Sequence, residues 1–189
     1  MSTKIKSAEH LEEFEVNKLL KYLHQHQLWT YYILVRLGIS TALRYSDFSQ
    51  IKWKDILGKE KLTIKEKKTG KLREIPLPNE LVQNLTSIYC KIGSPHQEDK
   101  LVPITIRSIN RQIKLYAAKC GIKHKRLSSH SLRKTFGREV WKRNNFSEGS
   151  LVKLSHLFKH SSVSITRIYL SITKEEIDNL FDIQDLFVY

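Results

Sequence analysis

A single change of hydrophobic period, between Trp53 and Leu77, constrains the fold of this chain more than any other feature. On both sides of it, apolar residues recur at the three- and four-residue spacing of amphipathic helices. Within it, residues 61–65 and 72–77 alternate in polarity and flank the turn Lys67-Lys68-Thr69-Gly70-Lys71. Two alternating segments joined by a short turn with glycine predict a β-hairpin. The sequence therefore predicts a mainly α fold with one small hairpin, an α+β class.

Helices are predicted around the hairpin from apolar spacing and from start and stop signals. Gly38 is expected to end the second helix, and Gly121 the helix that begins near Thr105. Ser46 and Asp47 are expected to cap a short helix just before the period changes. The longer helices are predicted at residues 9–27, 28–37, 79 to the loop at 93–97, 105–120, 130–141 and 150–158, with a short helical run at 166–168.

The charge balance of the chain predicts a polyanionic partner. The 189 residues carry a net charge of +14, with a pI near 9.8. Nucleic acid is favoured over a membrane surface because no single basic amphipathic helix concentrates the charge. On the helix at 105–120, Arg107, Arg111 and Lys114 are predicted to face outward, while Ile106 and Ile109 face the core. A merely basic soluble protein remains the alternative.

The cysteine count and the apolar runs predict a cytoplasmic protein. Cys90 and Cys120 form no Cys-x-x-Cys pattern and are expected to be reduced thiols in the core. The longest clear apolar run, residues 31–35, is far too short to span a membrane. No N-terminal run is similar to a signal peptide.

Five polar side chains form a candidate site. Tyr169 follows His160 by nine residues, behind a serine-rich turn, and His130 and Arg133 are three apart on one predicted helix. Arg44 lies at a predicted junction between helices, where a side chain can face a cleft. Two arginines, two histidines and a tyrosine are the groups needed to hold a phosphate diester and attack it. The alternative for Tyr169 alone is a core tyrosine that packs by its ring and hydrogen-bonds by its tip.

These motifs, in their order along the chain, resemble the catalytic domain of the tyrosine recombinase, or phage-type integrase, family. Any one of them is a weak signal, whereas the ordered set is specific. The motifs are Thr-Ala-Leu-Arg44 followed by Ser-Asp, Lys68 in a Lys-Thr-Gly hairpin, His130-x-x-Arg133, His160 in Lys-His-Ser-Ser, and Tyr169.

The resemblance implies an enzyme that cuts and rejoins duplex DNA without a metal or nucleotide cofactor. Tyr169 would attack the scissile phosphate, giving a 3′-phosphotyrosyl link and a free 5′-hydroxyl. Arg44 and Arg133 would hold the non-bridging oxygens, because planar guanidinium groups match phosphate geometry. Lys68 would protonate the leaving 5′-oxygen.

The two histidines would act on the same phosphate. The resemblance implies that His130 and His160 hydrogen-bond the phosphate and that His130 is also suited to move the tyrosine proton. Nearby cations favour the tyrosine anion, which is a better nucleophile than a phenol with a pKa of about 10.

Several alternatives stay open on sequence grounds. A DNA-binding regulator with the same fold would bind without cutting, and a type IB topoisomerase would use similar chemistry. His156 and His160, four apart on a predicted helix, could be a metal pair, but no third ligand at helical spacing supports them. His24 and His26 are expected to be solvated at a helix end.

The predicted domains are a catalytic domain at 1–172 and an amphipathic acidic tail helix at 173–189. Only 43 residues precede Arg44, so the chain is expected to be a compact single-domain member that lacks the separate DNA-binding domain of many relatives. In the tail, Thr173 and Glu176 form a capping-box pattern. One lysine and five acidic residues follow Thr173. The resemblance implies a homo-oligomer on double-stranded DNA, a tetrameric synapse, in which this tail docks on a neighbouring protomer.

Overall fold

The computed structural model describes residues 7–68, 70–123, 126–173 and 176 of the chain. The described residues form two compact units, with the boundary between Phe136 and Gly137. The predicted class, mainly α with one β-hairpin, is confirmed. The helices are α1 (Glu13–Gln25), α2 (Trp29–Thr41), α3 (Tyr45–Phe48), α4 (Asn79–Lys91), α5 (Ile106–Lys119), α6 (Ser129–Arg143), α7 (Glu148–Phe158) and α8 (Val163–Leu170), and the strands are β1 (Lys61–Lys65) and β2 (Leu72–Pro76).

An aliphatic layer holds the helices of the first unit together. Helix α1 packs against α2 and α5, and α2 also packs against α4. Leu19, Leu37 and Leu85, on three of these helices, are completely buried. Full burial of one such side chain contributes about 1.5 to 3 kcal/mol. This layer therefore holds α1, α2 and α4 against one another.

Helix α2 continues past Gly38, which the sequence predicted as its end, and stops at Thr41. A Cβ added at Gly38 would lie 2.7 Å from Leu132 Cδ1 on α6. The glycine is therefore required for the close approach of two helices, and the predicted stop is wrong. Ala42, which follows the helix, has a φ of 55°, the left-handed conformation that commonly terminates a helix.

Strands β1 and β2 form a two-stranded antiparallel sheet, in which Lys61 pairs with Pro76 and Lys65 with Leu72. Leu62 and Ile64 are buried while their neighbours on β1 are exposed, as the alternation requires. Gly70 has a φ of 67° in the turn, a conformation that glycine adopts without strain. The predicted hairpin is confirmed.

Two expectations about burial in the first unit are wrong. Ile106 is 44% exposed in the first turn of α5, although helical spacing places it in line with the buried Ile109, Ile113 and Ala117. Cys90 is exposed near the end of α4, whereas Cys120 is partly buried.

The second unit contains the end of α6 with α7 and α8, and α7 packs against α8. A Cβ added at Gly137 would lie 2.6 Å from Leu170 Cδ2 and 3.0 Å from Phe158 Cζ. Both of these apolar side chains are completely buried. Glycine at position 137 therefore allows the ends of α7 and α8 to pack closely on α6.

The residues that follow α8 confirm the predicted capping box. The Thr173 amide donates to Glu176 Oε2 at 2.9 Å, and the Glu176 amide donates to Thr173 Oγ1 at 3.2 Å. The rest of the predicted tail helix lies outside the described residues, so the division of the chain after residue 172 stays a prediction. None of the described helices is long and apolar enough to cross a membrane.

Candidate active site

Arg44 lies at the junction between α2 and α3, as predicted. Ala42 is left-handed, and Arg44 is extended, with φ −73° and ψ 153°, as the N-cap residue of α3. These two conformations turn the chain between the helices, and the Arg44 side chain is half-buried at the turn. Ser46 and Asp47, expected as caps, both lie inside α3 instead.

Arg133 is buried in α6 and is linked to the same junction. Its Nη1 donates a hydrogen bond to the carbonyl oxygen of Ala42. Carbonyl groups at the end of a helix carry partial negative charge and favour a cation. The bond therefore joins α6 to the end of α2 and places Arg133 close to the loop that bears Arg44.

His130 completes this group from the first turn of α6. Desolvation by neighbouring groups lowers the pKa of His130 from its ordinary value of 6.5, although the residue is exposed to solvent, and the charges of Arg133, Arg44 and Lys134 lower it further. The imidazole is therefore neutral at neutral pH and able to accept a proton. Arg44, His130 and Arg133 are called the Arg–His cluster below. Its concentrated positive charge and its position at a helix N-terminus both favour a bound anion.

Lys68 is exposed in the hairpin turn, and the turn is attached to α3 through its main chain. The Lys67 amide donates to Asp47 Oδ1 at 2.9 Å, and Gln50 Nε2 donates to the Lys65 carbonyl at 3.0 Å. Asp47 is almost completely buried, so this acceptor is fixed in place. The turn that presents Lys68 is thus held by the helix that Arg44 begins.

Tyr169 and His160 are in ring contact within the second unit. Their ring centroids lie 5.2 Å apart at an interplanar angle of 68°. Phe158 completes a triad, with its centroid 5.4 Å from each of the other two rings. Tilted aromatic pairs at this distance attract each other. The predicted proximity of His160 and Tyr169, nine residues apart, is present in the structure.

Thr166 fixes the ring of His160. Its Oγ1 lies 2.9 Å from His160 Nδ1, and the threonine is completely buried. Lys159 ends α7 in the left-handed conformation, with φ 56°, and the His160 amide donates to the Ser155 carbonyl at 3.0 Å. Backbone and side chain of His160 are therefore both held from within the unit.

The structure thus forms two groups from the six predicted residues. The first unit contains the Arg–His cluster and, on the attached hairpin turn, Lys68. The second unit contains His160 and Tyr169. Prediction from sequence gave Asp47 only a capping role and did not single out Glu66, Arg73 or Thr166, which are buried or partly buried polar residues.

A signal for three of the missed residues was present in the sequence. Glu66 continues the buried face of β1 after Leu62 and Ile64, where alternation predicts an apolar residue. Arg73 pairs with Ile64 in the hairpin register. Thr166 occupies the buried stripe of α8, which also contains Leu170. A polar residue at an apolar position marks a group with a specific hydrogen-bond partner.

The structure contradicts the alternative in which His156 and His160 form a metal pair on one helix. Helix α7 ends at Phe158, so His156 lies on the helix and His160 lies beyond it. His156 is exposed, and Nδ1 of His160 is bonded to Thr166. Within the described ranges, no group of three or more His, Cys, Asp or Glu side chains could hold a metal ion.

Comparison with known families identifies the chain. Residues 9–176 match the Phage integrase family, a span that includes all six predicted site residues. The chain belongs to this family. The resemblance inferred from the sequence motifs is therefore confirmed.

Two curated relatives of this family are similar along most of the chain. The probable integrase/recombinase YoeC of Bacillus subtilis is 30% identical over 165 residues, covering 85% of this chain and 87% of YoeC. Tyrosine recombinase XerA of Pyrococcus furiosus is 30% identical over 178 residues, covering 88% of this chain and 58% of XerA. The chain thus spans nearly all of one relative and little more than half of the other.

Solved structures of the family share the fold. XerA recombinase matches with a TM-score of 0.72 and 21% identity over 98% of this chain and 66% of that chain. A lambda integrase tetramer bound to a Holliday junction matches with a TM-score of 0.64 and 19% identity over 89% of this chain and 50% of that chain. The expected recombinase catalytic-domain fold is confirmed.

Proposed function

We propose that the chain is a site-specific recombinase that cleaves and rejoins double-stranded DNA through a 3′-phosphotyrosyl intermediate. Family membership makes it a DNA strand-breaking and rejoining enzyme. The observation that supports this proposal best is the Arg–His cluster. There a buried arginine, a half-buried arginine and a neutral histidine gather at a helix N-terminus, as an anionic phosphodiester requires.

In the proposed step, Tyr169 Oη forms a bond to the scissile phosphorus as the bond from phosphorus to the 5′-oxygen breaks. The phenolic proton passes to neutral His130, and Lys68 gives a proton to the leaving 5′-oxygen. His160 hydrogen-bonds the phosphate. The phosphotyrosyl ester conserves the bond energy, so attack by a 5′-hydroxyl reverses the step without ATP.

Arg44 and Arg133 stabilise the transition state electrostatically. Negative charge on the non-bridging oxygens is met by guanidinium groups whose positions are already fixed. Loss of one preorganised donor of this kind typically costs about 3 to 4 kcal/mol of barrier, or roughly a hundred- to thousandfold in rate. These donors supply positive charge, so no metal ion or other cofactor is assigned to the reaction.

Covalent trapping tests the proposal without knowledge of the target site. The chain is incubated with a pool of nicked duplexes, randomised around the nick, whose cleaved end diffuses away and prevents rejoining. We expect a covalent adduct at Tyr169 that forms in excess EDTA and is absent from Tyr169→Phe, which keeps its DNA affinity. The matched control Tyr22→Phe should form the adduct at the normal rate.

The alternative outcomes of this experiment are distinct. Binding without any adduct, under all conditions, would identify a DNA-binding regulator and contradict the proposal. An adduct that maps to Tyr189 by mass spectrometry would contradict the role of Tyr169. Loss of the adduct in EDTA with recovery in zinc or magnesium would contradict cleavage without metal.

Assembly on DNA is the second part of the proposal. The chain is proposed to act as a homo-oligomer on DNA, a tetramer in the synapse, within the cytoplasm. Lambda integrase, which shares the fold, forms a tetramer on a Holliday junction. We propose that the acidic tail at 173–189 docks on a neighbouring protomer. Charge complementarity supports this, since the chain as a whole carries +14.

Glu176 gives this tail a fixed starting point. It accepts a hydrogen bond from Arg138 Nη1 at 3.0 Å, in addition to its capping box with Thr173. Deletion of residues 177–189 keeps this anchor. The truncated chain should fold and bind DNA weakly but form smaller DNA complexes, measured by light scattering. An unfolded truncated chain would indicate docking within one chain, and unchanged complexes would exclude both forms of docking.

A further inference from the structure

Glu66 is a buried carboxylate at the base of the hairpin turn. It is 1% exposed, whereas Lys67 and Lys68, which follow it, are exposed. Its amide donates to the Lys71 carbonyl at 3.0 Å, and its carbonyl accepts from the Gly70 amide at 2.8 Å. The main chain of Glu66 thus closes the turn. Its charged side chain points into the unit, where burial is unfavourable without a partner.

Arg73, on the returning strand, is an ionic partner of Glu66. Arg73 Nη1 lies 3.6 Å from Glu66 Oε1, and Arg73 Nη2 donates to the Thr41 carbonyl at 3.4 Å. The Arg73 side chain is only 14% exposed. Burial lowers the pKa of Arg73, while the charge of Glu66 opposes that change. The pair therefore connects both strands at the turn to the C-terminal end of α2.

The same end of α2 also anchors the Arg–His cluster. The carbonyl of Thr41 accepts from Arg73, and the carbonyl of the next residue, Ala42, accepts from Arg133. The charge of Arg44 reaches Arg73 as well and contributes to its lowered pKa. The Glu66–Arg73 pair and the Arg–His cluster are thus built on adjacent peptide groups.

We propose that Glu66 and Arg73 are positioning residues that hold the hairpin turn so that Lys68 can protonate the leaving 5′-oxygen. This inference rests on the proposed function, in which Lys68 is the general acid. General acid catalysis requires the donor to lie within hydrogen-bond distance of the leaving atom. The Lys68 side chain has a limited reach. The position of its main chain therefore decides whether its ammonium group can come within hydrogen-bond distance of the leaving 5′-oxygen.

A substrate that needs no general acid separates positioning of Lys68 from a merely structural role. In a 5′-bridging phosphorothiolate, sulfur replaces the leaving oxygen and departs as a thiolate, since a thiol is far more acidic than an alcohol. The duplex is built on a site selected by the trapping experiment. Single-turnover cleavage is measured for wild type, Lys68→Ala, Glu66→Gln and Arg73→Met on both substrates.

We expect Lys68→Ala to cleave the oxygen substrate about a hundredfold more slowly than wild type, the lower end of the range for loss of a general acid. Glu66→Gln and Arg73→Met should lose part of that factor and be slower by at least about tenfold. On the sulfur substrate, all three should return close to the wild-type rate. Glu74→Gln is the matched control. Glu74 forms an exposed ion pair with Lys61 at 3.3 Å on the same hairpin, so both rates should be unchanged.

Loss of one partner of a buried ion pair can unfold a protein. A second variant, which removes both charges, therefore tests the same role in a chain that is expected to fold. Glu66→Leu combined with Arg73→Met replaces both charges by apolar side chains, which buried sites commonly tolerate. Its thermal unfolding should stay close to that of wild type. Its cleavage should still be slow on the oxygen substrate and restored on the sulfur substrate.

Each result bears on one conclusion. Equal slowing of Glu66→Gln and the double variant on both substrates, or no slowing on either, would overturn the positioning role while leaving that of Lys68 intact. Failure of sulfur to restore Lys68→Ala would overturn the role of Lys68 and, with it, this inference. Absence of any adduct from wild type would instead overturn the proposed function itself.

Discussion

At the scale of single residues, the electrostatic surroundings of His130 determine its protonation. A histidine between two arginines and a buried lysine binds a proton less readily than one in water. The same cations that attract a phosphodiester therefore keep the imidazole in the form that accepts the tyrosine proton. The positive charges around His130 therefore both favour binding of the phosphodiester and keep His130 neutral, so that it can act as a base.

This coupling predicts a specific pH dependence. Because the pKa of His130 lies below 6.5, the rate of adduct formation at subsaturating DNA should fall only as pH drops below that value. Lys134→Gln removes one neighbouring positive charge, raises the pKa of His130 and should move this acid limb to higher pH. Lys142→Gln, at an exposed position of the same helix, should leave it unchanged. Persistence of the limb in His130→Gln would assign it to another group.

The contact between Thr166 and His160 leads to a second prediction. Thr166→Val replaces the hydroxyl by a methyl group of similar size and removes the bond to Nδ1. We expect a loss of about 1 kcal/mol in unfolding free energy. Adduct formation should slow by about tenfold, because the ring loses its fixed orientation.

Thr166→Ser keeps the hydroxyl and serves as the control. It should recover most of the rate while losing a buried methyl group. A Thr166→Val variant as fast as wild type would contradict the positioning of His160 by this bond.

Residue types and spacing allowed the six site residues to be predicted, but not the residues that support them. The order of the motifs along the chain is enough to predict residues such as Arg44 and Tyr169, since the proposed chemistry requires an arginine and a tyrosine at those positions. Asp47, Glu66 and Arg73 act through partners 7 to 32 residues away in sequence, Lys67, Arg73 and Thr41. Such partners are chosen by packing, which no local spacing encodes.

At the scale of helices and strands, local chemistry predicted the types of element well and the helix ends less well. Alternation and a turn glycine determined the hairpin, and capping side chains mark the starts of α5, α7 and α8. The prediction for Gly38 was wrong because sequence alone does not distinguish a glycine that ends a helix from a glycine that allows a second helix to pack closely. The difference lies in Leu132, which is 94 residues away.

Gly137 is the corresponding close contact in the second unit, and it can be tested. Gly137→Ala would crowd Leu170 and Phe158, at a cost of about 1 to 3 kcal/mol for overpacking, partly offset by about 1 kcal/mol of helix propensity. We expect net destabilisation of up to about 2 kcal/mol in urea unfolding. Adduct formation should also slow, because Leu170 adjoins Tyr169.

Gly149→Ala is the matched control for this substitution. Gly149 lies in α7, and a Cβ there would meet no described heavy atom within 4 Å. This variant should be as stable as wild type or more stable by up to about 1 kcal/mol. Equal effects of the two substitutions would show that helix propensity, rather than packing, governs both.

At the scale of the whole molecule, the excess of positive charge predicts strongly salt-dependent DNA binding. Arg107, Arg111 and Lys114 are exposed on α5, in agreement with the sequence prediction, and several such side chains should contact phosphates. A plot of log affinity against log salt concentration should have a slope of about −4 or steeper. Affinity that is kept at high salt would show that the charge is incidental to binding.

The bond between the Lys67 amide and Asp47 also bears on how this protein can diverge. Because Asp47 of α3 accepts its hydrogen bond from the main-chain amide of position 67, the side chain at that position takes no part in the attachment. Selection or laboratory evolution is free to vary position 67, and thus the surface of the hairpin tip, among nineteen residue types. Proline, which has no amide hydrogen, is the one exclusion. A library at this codon should therefore recover active clones with every chemical class of side chain and none with proline.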